Sequence, residues 1–138
     1  MAGIVNHFPG GGGGGSNRWV LVAGNQPTDA GGWTTVGAAY VDPTKGPPAC
    51  LLRCTLEAAD ASAACMARLW NADDALAVGG AGGELTIAAP TPTAAQLALV
   101  AGVTEGFPNA PRTYWLQIKM VGASVLPVAC KSAFVEQG

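Results

Sequence analysis

At 138 residues the chain has the length of one ordinary domain, enough to bury a hydrophobic core without metal or disulfide staples. Hydrophobic residues make up 49% of it and charged residues only 12%, about half the usual charged share, so much of the surface must be neutral, small-residue or apolar, which favours association over solitary solubility. Net charge is −2, and the seven basic residues (Arg18, Lys45, Arg53, Arg68, Arg112, Lys119, Lys131) are scattered rather than gathered into a stripe, so nucleic acid is not expected as a partner.

Residues 1–9 carry a short apolar cluster, Ile4, Val5 and Phe8, with neither a basic leader region nor an apolar run. No stretch of the chain reaches the roughly 18 apolar residues of a membrane span, so neither a secreted nor a membrane-embedded protein is expected. Six consecutive glycines, 10–15, and Ser16 follow; alone, polyglycine is a flexible tether. Residues 1–16 are therefore predicted to be an extended N-terminal arm, with Ile4, Val5 and Phe8 as its candidate partner contacts, and residues 17–138 to be the folded domain.

From Arg18 onward, short runs of period-two alternation are separated by Gly, Pro, Asn and Asp clusters, the pattern of half-buried antiparallel strands. Trp19, Leu21 and Ala23 alternate with Val20 and Val22 before a break at 24–27. A second strand is predicted over 33–41, stopped by Asp42 and Pro43. After Pro47 and Pro48, Cys50, Leu52, Cys54 and Leu56 face one way while Arg53, Thr55 and Glu57 face the other. Segments 63–70 and 75–78 follow, then 84–88 beyond a glycine turn. Residues 94–101 admit a helix capped by Thr93, but strand is preferred because alanine-rich runs elsewhere in the chain also alternate. Near the end, Tyr114, Leu116, Ile118 and Met120 are predicted inward against Trp115, Gln117 and Lys119. Leu126, Val128, Cys130, Ser132 and Phe134 share one face of the last strand, completing a terminal hairpin. Eight or nine strands without an amphipathic crossover helix predict an all-β, antiparallel β-sandwich or jelly roll.

Little in the chain carries chemistry. The single histidine, His7, lies in the arm, a poor place for a general base, and the acidic residues fall mostly in turns. Asp73 and Asp74 lack the alternating ligands of a calcium loop, and the polyglycine lacks the Lys-Ser/Thr of a phosphate loop. No catalytic, cofactor-binding or metal-ligating residue is assigned. Cys50 and Cys54 lie four apart on one strand, about 13 Å between Cα atoms, and cannot bridge each other. The four cysteines are expected as buried free thiols, with a bridge from Cys50 or Cys54 to Cys65 or Cys130 as the alternative. Of the four tryptophans, Trp19 and Trp33 are expected in the core. Trp70 and Trp115, facing away from the apolar sides of their strands, are candidate partner-binding residues.

The segment Trp33-Thr-Thr-Val-Gly-Ala-Ala-Tyr-Val-Asp-Pro-Thr44, with Ala67-Arg-Leu-Trp-Asn71, Arg112-Thr-Tyr-Trp-Leu-Gln-Ile118 and Ala133-Phe-Val135, resembles small β-sandwich virion structural proteins of tailed bacteriophages. That resemblance implies a non-enzymatic capsid decoration or cement protein on the virion surface, assembled in the host cytoplasm. It would be a homo-oligomer bound to the major capsid protein or other virion subunits, with no cofactor. A tail or fibre attachment module is the alternative within the virion, and a carbohydrate-binding module using Trp70 or Trp115 the alternative from another class.

Overall fold

Strands form where the alternation is strictest, because burying one face of a pleated segment requires every second side chain to be apolar. The structure, a computed structural model, describes residues 17–138. In chain order the strands are β1 (Asn17–Val22), β2 (Gln26–Thr28), β3 (Thr34–Val41), β4 (Ala49–Glu57), β5 (Ala63–Asn71), β6 (Leu76–Ala77), β7 (Leu85–Ile87), β8 (Thr93–Val100), β9 (Arg112–Gly122) and β10 (Val128–Gln137). Residues 93–100 are strand, as preferred over helix.

Two antiparallel sheets result. Sheet one has the order β3-β9-β5-β6, with β7 also paired to β5; sheet two has the order β1-β10-β4-β8, with β2 also paired to β10. Early and late strands alternate within each sheet, the arrangement of a jelly-roll β-sandwich. The inner faces close over Leu52 and Leu56 of β4, Leu69 of β5, Leu99 of β8, Leu116 and Ile118 of β9 and Val135 of β10, all with no exposed surface. Each such side chain contributes about 1.5–3 kcal/mol by leaving water. Where the sheets approach at their β1 and β3 edges there is no room for a side chain: a Cβ on Gly37 would stand 2.0 Å from the Leu21 carbonyl oxygen.

The buried amides Asn71 and Gln137 are held by specific partners, whereas the buried Tyr114 hydroxyl has none among the described residues. Asn71 Nδ2 donates to Gly106 O and Asp74 Oδ2, both at 3.0 Å, and its Oδ1 accepts from Asp74 N. Gln137, 1% exposed, donates from Nε2 to Pro43 O at 2.7 Å and Pro47 O at 2.9 Å, and accepts from Asn17 Nδ2 at 2.8 Å.

Two expectations are corrected. Phe134 does not share a face with Val128 and Cys130. Cys130 pairs with Leu56 and Ser132 with Thr55, so Lys131 has no counterpart on β4; this bulge reverses the alternation, turning Ala133 and Val135 inward and Ser132, Phe134 and Glu136 outward. Trp33 is not a core residue. It precedes β3 and lies on the outer side of sheet one, where Arg68 and Lys119 stand over its ring. Trp19, by contrast, is partly buried against the core.

Candidate functional site

On β9 the inward set Tyr114, Leu116, Ile118 and Met120 forces Trp115, Gln117 and Lys119 to the opposite face. On β5 the inward set Cys65, Ala67 and Leu69 does the same for Arg68 and Trp70. Register then joins them: Trp115 lies directly opposite Trp70, and Gln117 directly opposite Arg68. On the other side of β9, Trp115 faces Ala38 and Thr113 faces Tyr40, which places Tyr40 diagonally beside Trp115. The outer face of sheet one thus carries a band of Trp70, Trp115 and Tyr40, with Trp115 37% and Tyr40 64% exposed.

Arg68 organises this face. Its guanidinium carbon lies 4.3 Å from the ring centroid of Trp33 and 4.7 Å from that of Trp70, and its Nε donates to Gln117 Oε1 at 2.8 Å. Gln117 Nε2 in turn bonds Thr35 Oγ1 at 3.1 Å, and Lys119 Nζ stands 4.6 Å from the Trp33 ring centroid. A cation over an indole face is worth about 0.5–2 kcal/mol, more as water is removed. Burial lowers the Arg68 pKa, an effect that the Glu84 charge opposes. Trp33 and Trp70 are therefore restrained before any partner arrives, which lowers the entropy lost on binding.

Of the sequence candidates, Trp70 and Trp115 meet as cross-strand neighbours, while Ile4, Val5 and Phe8 lie outside the described residues. Sequence reasoning passed over Arg68, Gln117 and Tyr40. Arg68 and Gln117 each sit two residues from a candidate tryptophan on the same strand, so the alternation already put them on the same face.

All four cysteines are free and buried. Burial pushes the Cys65 thiol up to about 11 and the Cys130 thiol up to about 12, both above the ordinary 9.0, and raises Cys54 and Cys50 as well. Native protein at pH 8 is expected to react with a thiol-specific disulfide reagent at none of the four sites, and at all four once unfolded; rapid native labelling would contradict the burial. The linkage has a definite sign. The folded state holds these protons more tightly than the unfolded chain, so the stabilisation is complete below pH 9 and is lost as pH rises towards 12. Among the described residues, no group of three or more His, Cys, Asp or Glu side chains is arranged to hold a metal ion.

No protein-family model matches the sequence, and no curated protein matches it. Similarity appears at the level of fold. A chain of the T13 viral particle of infectious bursal disease virus superposes with a TM-score of 0.56 at 9% identity, over 88% of this chain and 30% of that one. The chain therefore spans less than a third of the length of that viral protein. The xylan-binding module CBM15 superposes with a TM-score of 0.50 at 10% identity, over 89% of this chain and 96% of that module. These likenesses establish the β-sandwich architecture, which is common to capsid and carbohydrate-binding proteins.

Proposed function

We propose that this protein is a non-enzymatic virion structural protein, a decoration or cement protein that binds capsid subunits through the outer face of sheet one. The observation that carries the reading is the band of Trp70, Trp115 and Tyr40, in which Arg68 packs over the Trp70 ring. Trp, Tyr and Arg are the side chains in which protein-interface energy concentrates, and here they are adjacent and partly exposed. The low overall charge and the sequence resemblance to phage virion proteins support the same reading. In this picture residues 1–16 form the arm whose Ile4, Val5 and Phe8 reach a neighbouring subunit, and many copies bind together.

The carbohydrate alternative draws on the exposed rings of Trp115 and Tyr40. Arg68 already occupies a face of both Trp33 and Trp70, however, leaving less bare indole for a sugar to stack on.

The test is co-sedimentation of the purified protein with shells assembled from the major capsid protein of its source, followed by electron cryomicroscopy. Repeated density at symmetry-related shell positions is expected, and Trp115→Ala should weaken shell binding by about tenfold or more while the circular dichroism spectrum is unchanged. Density confined to a tail would favour the tail-module reading, and a protein that joins no particle would sink both.

A further inference from the structure

The outer face of sheet two carries a second feature, unrelated to the aromatic band. Two neighbouring cross-strand rows run over β10, β4 and β8: Phe134 opposite Arg53 opposite Gln96, and Ser132 opposite Thr55 opposite Ala94. The first row is long and the second short, and the step between them is a cavity of about 270 Å³ lined by these six residues together with the intervening Cys54 and Ala95. That volume lies just below the range of about 300–1,000 Å³ typical of small-molecule sites, so it suits a ligand of about one ring.

The chemistry of the walls is mixed in a particular way. The Arg18 guanidinium covers one face of the Phe134 ring, 4.2 Å from its centroid, while the rest of the ring lines the cavity and offers it an aromatic surface. Ser132, Thr55 and Gln96 offer hydroxyl and amide groups that both donate and accept. Arg53 brings a positive charge and is 47% exposed. Charge on the strands of sheet two is unbalanced: Arg18, Arg53 and Lys131 face only two carboxylates, Glu57 and Glu136. Lys131 pairs with Glu57 at 3.2 Å, while Arg18 and Arg53 share one oxygen of Glu136 at 3.6 and 3.5 Å. One positive charge beside the cavity therefore lacks its own counter-ion, in a protein whose net charge is −2.

We infer that this cavity binds a carboxylate-bearing sugar. The acid pairs with Arg53, the ring's C–H face lies against Phe134, and the hydroxyls bond Gln96, Thr55 and Ser132. The site exists only because of the Lys131 bulge, which turns Phe134 outward over Arg53. It is independent of the docking face, since the outer sides of the two sheets point away from each other.

Nuclear magnetic resonance titration of the full-length protein with trigalacturonic acid, and separately with maltotriose, tests this. Trigalacturonate is expected to shift the resonances of Arg53, Thr55, Gln96 and Phe134 and to bind more weakly as salt is added. Maltotriose should bind about tenfold or more less tightly, because it lacks the charge-assisted bond. Arg53→Gln should remove that preference, and Phe134→Leu should weaken both sugars, with each variant's melting temperature confirming that it is folded. No shifts with trigalacturonate, equal binding of the neutral sugar, or shifts centred on Trp70 and Trp115 would each overturn the assignment.

Discussion

Gly122→Ala is expected to destabilise the protein by about 4 kcal/mol, a large part of the roughly 5–15 kcal/mol that holds a domain folded. Gly122 ends β9 opposite Ala63, with φ at +104°, a backbone conformation that L side chains rarely adopt. Forcing alanine into it costs about 1–3 kcal/mol. The new Cβ would also stand 2.1 Å from the Ser62 carbonyl oxygen, backbone that cannot swing aside. That oxygen is further restrained because Asp60 Oδ1 accepts from Ser62 N at 2.9 Å, while Asp60 Oδ2 accepts from Ser124 Oγ at 2.6 Å across the same corner. Relief requires opening the end of the β5–β9 ladder, a further 1–3 kcal/mol or so of overpacking strain. Urea unfolding of the variant should show a much lower midpoint, and a change below about 1 kcal/mol would mean that this corner relaxes freely.

Gln137→Leu should cost about 3 kcal/mol, although leucine matches glutamine in size and gains from burial. The segment joining β3 to β4 contains Pro43, Pro47 and Pro48, residues without an N–H, so it is poor in donors of its own. Gln137 Nε2 supplies a donor to two of its carbonyls, to Pro47 O and to Pro43 O, whose other donor is Gly46 N at a long 3.4 Å. Leucine would leave Pro47 O without that partner and Pro43 O with only the long bond from Gly46 N, at about 1–3 kcal/mol for an acceptor that stays dry, and would release Asn17 Nδ2 as well. Equilibrium unfolding in urea measures the loss; an unchanged midpoint would show that water satisfies the carbonyls without cost.

These two residues also mark how far the sequence could be read. Strand positions were legible wherever one face is dry, so β4, β5 and β9 emerge with their inward residues correctly sorted. A bulge leaves no trace in composition, and the single extra residue at Lys131 moved Phe134 off the face it was expected to share with Val128 and Cys130. Trp33 was misplaced for a different reason. Large aromatic residues default to the core in sequence reasoning, whereas this indole is shielded by two cationic side chains, Arg68 and Lys119, that come from other strands. Trp70 and Trp115 could be proposed singly, but their apposition depends on the β5–β9 register, 45 residues apart in sequence. The sheet-two cavity was invisible for the same reason, since Arg53, Gln96 and Phe134 become neighbours only through two separate strand pairings.

Antiparallel pairing of β1 with β10 sets Asn17 opposite Gln137, and their side chains are hydrogen-bonded. The domain is thus entered and left at one corner of sheet two, like a bead strung through a single eyelet. A short linker between these two residues would close the ring with little strain, and new ends could then be opened in an exposed loop such as the one carrying Val125, which is fully exposed. Equally, a host polypeptide could carry the whole sandwich as an insertion in one of its surface loops without spreading the ends of that loop apart.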